Sequence, residues 1–396
     1  MIPGFNTARL SAIAQRTPAS RDRYVDFLRA FSIGAVVIGH WITTLVIYEQ
    51  NGIRIRNAVG VIPGMWLASW IFQVMPLFFF VGGFSNLLTY DSLRRRGQPL
   101  SVFFRTRAMR LFRPSFVFIA IWIIIIGIVS LFFHWWERYA LGALLIFGPL
   151  WFLGVYSFVI FCAPAMLGLH RRFGLYVPIT LAVLVVLIDV LSFGFGIPHI
   201  RLFNTAFVWL LVHQLGFFYA DGSLLRRPRL VPALMAMAGL AGLILLTNFV
   251  GYPRSMVGTG FDRISNMSPP TVCIVMLALW QIGLAMLLRD PVNRWLQRRQ
   301  SWMAVIWANS TIMTIYLWHL TAYAAAYLIF LPTGWTRSAE ITAVWWLQRL
   351  IWITIPSAIL LFLIAIFNRF ERVPGSETDS RGGSSRDIEG TFRKEV

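Results

Sequence analysis

The sequence predicts an all-α integral membrane fold of about ten transmembrane helices with both termini cytoplasmic. Three observations predict it: an apolar composition, apolar runs of membrane-spanning length, and a one-sided distribution of arginine. Only 13 % of the 396 residues are charged and the mean hydropathy is +0.68. A water-soluble domain needs about a quarter charged residues to cover its surface. The 17 Trp and 33 Phe exceed what a soluble core of this size would need, but suit lipid and the lipid–water boundary.

A helix needs about 20 largely apolar residues to cross roughly 30 Å of hydrocarbon. Runs of that kind cover 27–47, 66–88, 114–133, 141–161, 173–193, 203–220, 230–249, 271–288, 303–330 and 350–367. The ninth is long, which predicts a tilt, a kink at its outer end or an interfacial continuation. With the N-terminus cytoplasmic, 22 arginines fall on the inner side of these spans and eight on the outer side. Adding or removing one helix would destroy that bias, so ten spans agree with the charge and neither nine nor eleven does. The outer loops 48–65, 250–270 and 331–349 are rich in Gly, Pro, Trp or Tyr, as ordered loops and interfacial segments are.

The chain thus divides into a cytoplasmic N-terminal segment (1–20), a ten-helix membrane domain (21–370) and a disordered cytoplasmic tail (371–396). The net charge of +19 does not indicate nucleic acid, because the basic residues punctuate apolar runs instead of forming a patch with interleaved aromatics. Cys162 and Cys273 lie in separate apolar segments with no CxxC and no metal spacing, so a disulfide framework is not implied and no metal is expected. Residues 1–20 lack the apolar stretch of a signal peptide. No internal repeat of the kind found in many transporters is visible.

Ionisable residues inside spans are costly, at least ~2.5 kcal/mol each, and each is a candidate functional group. His40, in the outer half of the first span, can act as a general base near neutral pH, or can be a packed histidine with one hydrogen bond. Arg29 precedes it by eleven residues, close to three turns, so the two share a helix side at different depths. Asp26 is placed to pair with Arg29 and to favour a helix N-terminus. Arg107, Arg110 and Arg113 recur every third residue and would form a basic strip suited to phosphates, or ordinary positive-inside charge. His319, with Asn309 and Thr314 in the same span, either shares a cavity with His40 or is structural. Asp189 could neutralise an arginine or orient a histidine; His213 is a further in-membrane group without a motif. Gly82 and Gly83 allow a close helix contact or local unwinding near a ligand, and Trp151 suits an interfacial anchor. His134, His170 and His199 lie in or beside loops and read as interfacial.

From about residue 20 to 370 the sequence resembles the acyltransferase 3 family of integral membrane O-acyltransferases. The family's arginine, ten residues, histidine pattern falls on Arg29 and His40, with Asp26 before it. Its arginine, two residues, arginine motif falls on Arg107 and Arg110, with Arg113 leaving the pair Arg110/Arg113 open. The phenylalanine-rich glycine segment falls on 77–84, the tryptophan-phenylalanine-leucine segment on 151–153, and the late aromatic-histidine segment on Tyr316 to His319. Gly82 stands where a serine is common, which removes a hydroxyl there. The resemblance implies transfer of an acyl group, expected to be acetyl, from acyl-CoA to a hydroxyl of a cell-envelope glycan, lipid or related acceptor. His40, Arg29 and Asp26 would form the catalytic set; Arg107, Arg110 and Arg113 would bind the donor, without a metal. His319, Gly82, Gly83, Trp151 and Asp189 are further cavity candidates. It implies an inner-membrane protein working with lipid and with other envelope-biosynthesis proteins. A secondary transporter or exporter of a lipid or glycan is the alternative that the same buried charges allow.

Overall fold

A computed structural model describes residues 7–18, 21–49, 52–132, 145–261, 264–331 and 341–371. Among them ten helices are long and apolar enough to cross a membrane. The chain opens with a short helix α1 (Thr7–Gln15) and the first long helix α2 (Arg23–Thr43). An antiparallel hairpin follows, β1 (Thr44–Glu49) and β2 (Gly52–Asn57), with Thr44 opposite Asn57 and Val46 opposite Ile55. Then come α3 (Trp66–Phe72), α4 (Met75–Arg95), α5 (Leu100–Phe132), α6 (Leu150–Phe173), α7 (Tyr176–Phe193) and α8 (Leu202–Ala220). The chain closes with α9 (Leu230–Leu245, with a π turn to Val250), α10 (Val272–Trp295), α11 (Arg299–Ser310), α12 (Ile312–Phe330) and α13 (Ala343–Phe367). The long helices alternate in direction. One end of the bundle carries α1, α11 and the arginine-rich turns; the other carries the hairpin.

Glycine lets the inner helices approach closely. A Cβ on Gly83 of α4 would run into the His213 carbonyl oxygen of α8, and one on Gly216 of α8 into the Phe80 carbonyl. Gly82 and Gly83 are both helical, without unwinding, and Gly83 serves the helix crossing. Around this crossing Phe79 stacks on Trp209 at 4.4 Å, both fully buried. By contrast α5, α7, α9 and α13 turn most of their surface outward as apolar side chains such as Phe116, Val183, Met237 and Phe362, the pattern expected of lipid-facing helices.

Several boundaries differ from the sequence expectation. The first span was expected over 27–47, but the helix runs from Arg23 to Thr43. Asp22 caps its start by accepting from the amides of Tyr24 and Val25, at 3.0 and 3.1 Å. Its end comes early because Thr44 to Tyr48 is a mostly β-branched and aromatic run that pairs in the hairpin. The fourth helix starts at Leu150, not 141, because Pro149 has no N–H to give and suits a helix start; residues 141–144 lie outside the described residues. It runs on to Phe173, so His170 belongs to its last turn. The basic run 103–113 is part of one helix with the third span. The tenth helix begins at Ala343, which takes Arg349 out of the loop and into the span.

The ninth span, expected to be tilted, kinked at its outer end or continued as an interfacial helix, is two helices broken at Thr311, at the arginine end. Side chains compete with the helix there. Asn309 Nδ2 donates to the Asp26 carbonyl (2.8 Å) and the Thr311 hydroxyl to the Trp307 carbonyl (3.0 Å). Glu371, just past the last helix, then accepts from the freed amides of Met313 and Thr314 at 3.0 and 3.1 Å.

Candidate active site

Eleven residues at about 100° each return to within about 20° of the starting direction, so Arg29 and His40 share one side of α2, about 16 Å apart along the axis. Phe31 and Ile38 lie on the opposite side and are the exposed apolar residues of this helix. His40 is nonetheless accessible. Its accessibility therefore opens toward the inside of the bundle, away from the lipid-facing side. The ring of His319, fully buried on α12, meets the His40 ring edge to face at 5.3 Å and 83°. Trp41 binds the two helices together there, its indole N–H donating to the His319 carbonyl at 3.0 Å.

The hydrogen bonds of His319 assign its tautomer. Its Nδ1–H donates to the Tyr316 carbonyl at 2.7 Å, which leaves Nε2 as the bare acceptor. That nitrogen is buried and has no partner among the described residues. A buried polar atom left open beside an accessible histidine is a place for a ligand hydroxyl.

At the arginine end of the same helix side, Arg29 donates to the Ser85 hydroxyl at 2.6 Å, and more weakly to Asn309 Oδ1 (3.5 Å) and Asp26 (3.4 Å). Asp26 is shared, since its other oxygen accepts from Arg21 at 2.6 Å. Arg107 donates to the Ser85 carbonyl and the Thr89 hydroxyl, both at 2.6 Å, while its Nε is buried without a described partner. Arg29, Arg107 and Arg110 stand close enough to repel one another, with Tyr156 among them. Tyr156 in turn abuts Gly82, where a Cβ would meet its ring at 2.8 Å. The cluster thus holds more guanidinium than carboxylate, which is the make-up of an anion site. Arg110 is exposed and Arg113 partly buried on the same stretch of α5.

The remaining candidates fall elsewhere. Asp189 sits at the hairpin end, accepting from Asn204 Nδ2 (2.8 Å), the Tyr252 hydroxyl (3.0 Å) and the Val272 amide (2.9 Å). No histidine is among these partners; Arg201 lies within electrostatic reach. It is a cap and staple for α10. His213 is buried against Asn86, whose Nδ2 donates to Nε2 at 2.9 Å. Trp151 is exposed at the start of α6. His170 is buried in the last turn of α6 and hydrogen-bonded to Asp221 at 2.9 Å, and His134 lies outside the described residues. Among the described residues no group of three or more His, Cys, Asp or Glu is placed to hold a metal.

The family model described as an acyltransferase domain, acyltransferase 3, matches residues 22–368, from the cap of α2 to the end of α13. The chain belongs to the acyltransferase 3 family. This membership makes it a multi-pass membrane protein of an acyl-transferring family. Comparison with curated proteins and with solved structures gave no match.

Sequence reasoning did not single out Ser85, Thr89, Tyr156 or Glu371. Each is an unremarkable residue in an apolar or terminal stretch, and only the helix packing brings it to the arginines.

Proposed function

We propose that this acyltransferase moves an acyl group, acetyl by expectation, from acyl-CoA to a hydroxyl of a cell-envelope glycan, lipid or related acceptor. The observation that supports it is the pairing of two unlike sites on one side of α2: an arginine cluster in which Arg107 Nε is buried without a partner among the described residues, and an accessible histidine beside an open imidazole nitrogen. The donor's phosphates would lie on Arg107 and Arg110, with Arg29 along the path. The open Nε of Arg107 fits such an anion. The flexible arm of the donor would then follow α2 for about 16 Å toward His40.

At His40 the imidazole takes the proton of the acceptor hydroxyl as its oxygen attacks the thioester carbonyl carbon. Collapse of the tetrahedral intermediate breaks the carbon–sulfur bond, and the leaving thiolate recovers the proton from the imidazolium. His319 Nε2 would accept from a neighbouring hydroxyl of the acceptor and so hold it in line. Asp26 would orient Arg29. The charge bias supports a reading in which the arginine end and both termini face the cytoplasm of the cell's inner (plasma) membrane and the donor enters from inside.

The test is consumption of acyl-CoA with release of free thiol by the purified protein in lipid, with mixed envelope acceptors. In wild type, release should require acceptor; in His40→Ala it should fall by about 10²- to 10⁴-fold. Wild-type protein that neither turns over nor binds acyl-CoA would refute the acyl-transfer reading and favour an exporter.

A further inference from the structure

Arg349 is a buried guanidinium, 8 % exposed, one and a half turns into α13 near the hairpin end. Among the described residues no carboxylate pairs with it. Its plane lies over Trp345 at 4.1 Å, with Trp352 at 5.9 Å. Burying a cation without a counter-charge is a costly way to fill space, so its hydrogen bonds are the informative part. Nη1 points at the carbonyls of Ile42 and Thr44, each at 3.5 Å, and Nε donates to Trp345 at 3.4 Å. The hydroxyl of Tyr323 lies against the same guanidinium.

These partners belong to the two helices that carry the histidines. Ile42 lies in the last turn of α2 and Thr44 caps its end as the first residue of β1, two and four residues beyond His40. Tyr323 is four residues, one turn, beyond His319 on α12. The last carbonyls of a helix have no intrahelical partner, and an end so placed frays unless something takes them. His40 falls within that last turn. Its own carbonyl accepts from the Thr44 hydroxyl at 2.5 Å, so an anchor on Thr44 reaches His40 directly. A cation at a helix C-terminus is also favoured by the helix dipole.

We propose that Arg349 is a positioning residue that clamps the end of α2 to α12 and so fixes the His40 ring against His319. The clamp rests on the proposed function only for its effect on rate; its effect on His40 geometry stands apart. An imidazole base must be held closely to its productive position, and displacement by about 1 Å can cost on the order of 10²-fold in rate.

The experiment compares wild type with Arg349→Met and Arg349→Lys in the full-length protein in lipid. Methionine keeps the apolar stem between the tryptophans and removes the donors; lysine keeps the charge and part of the donation. Diethyl pyrocarbonate modification of His40, read by peptide mass spectrometry, reports its exposure without any donor or acceptor. Arg349→Met should change the His40 labelling rate several-fold and lower kcat by about tenfold or more, with KM for acyl-CoA within about twofold. Arg349→Lys should fall between the two. A His40 labelling rate within about twofold of wild type in a folded Arg349→Met protein overturns the clamp, whatever the rate does. If Arg349→Met does not fold, Tyr323→Phe decides by the same labelling, with a smaller change expected in the same sense and no change overturning the proposal. Because labelling needs no turnover, failure of the acyl-transfer reading and failure of the clamp are separate results.

Discussion

Two buried histidines in this bundle are used in opposite ways. His170, in the last turn of α6, has both ring nitrogens engaged: Gln214 Nε2 donates to Nδ1 and Nε2–H donates to Asp221, each at 2.9 Å. His319, in α12, has one nitrogen engaged by the Tyr316 carbonyl and the other open, with an accessible histidine ring beside it. A satisfied imidazole joins helices; a half-satisfied one in a buried place keeps a lone pair ready for something that arrives. Burial alone does not separate the two, since His170 is 7 % exposed and His319 is 0 %. The distinction lies in the count of partners.

The largest expected effect breaks or sustains this contrast directly. His319→Gln keeps similar length and a donor but loses the open imidazole nitrogen, and should lower kcat by about 10²-fold while thermal stability changes little. His170→Gln should do the reverse: a loss of about 1–3 kcal/mol from the orphaned Asp221 and Gln214 partners, with kcat near wild type. Paired kinetics and melting curves read both. Equal behaviour of the two variants would remove the distinction between an open and a closed histidine.

The arginine end offers the same contrast within one helix. Arg105 of α5 is exposed, whereas Arg107 is partly buried against α4, its Nε without a partner among the described residues. Loss of charge-assisted bonds is worth about 1.5–3 kcal/mol. Arg107→Met should therefore raise KM for acyl-CoA by about tenfold or more with little change in kcat, and Arg105→Met should leave both near wild type. Steady-state kinetics at varied donor concentration decide it. A KM unmoved by Arg107→Met would take the donor's phosphates away from this cluster.

The ten spans were legible because hydrocarbon imposes a length and arginine a sidedness, and both are local in sequence. The alignment of Arg29 with His40 followed from helix periodicity alone, and their separation in depth with it. What the sequence could not disclose is contact between distant helices. Nothing local to Arg349 distinguishes it from a loop-edge charge; it became central only when its carbonyl partners proved to be 305 and 307 residues away. The break at Thr311 was misplaced for a related reason. Apolar runs show where a helix is affordable in lipid, whereas Asn309, Thr311 and Glu371 decide where its backbone bonds are handed to side chains. Asp189 shows the same from the other side: its sequence context left an arginine or a histidine as its partner, and only the packing brings three donors from three segments, with Arg201 in electrostatic reach.

The smallest expected effect tests the closed histidine by pH. Burial pushes the Asp221 carboxyl up, but the Ser223 hydroxyl and amide and His170 together hold it below the ordinary carboxylate range. A carboxyl with a depressed folded value adds stability that is complete above its unfolded value, about 3.9, and is lost as pH falls through the folded one. The melting temperature of wild type should therefore drop more steeply between about pH 5 and pH 3 than that of Asp221→Asn. At about pH 6 the variant should melt slightly lower, because asparagine keeps the shape but gives up the charge-assisted bonds. The effect is modest, since this carboxylate is more than a third exposed and solvent screens it. Parallel curves for the two proteins would mean that His170 is held by packing against Phe217 and Phe218, whose rings lie at 5.5 and 4.5 Å, and not by the carboxylate.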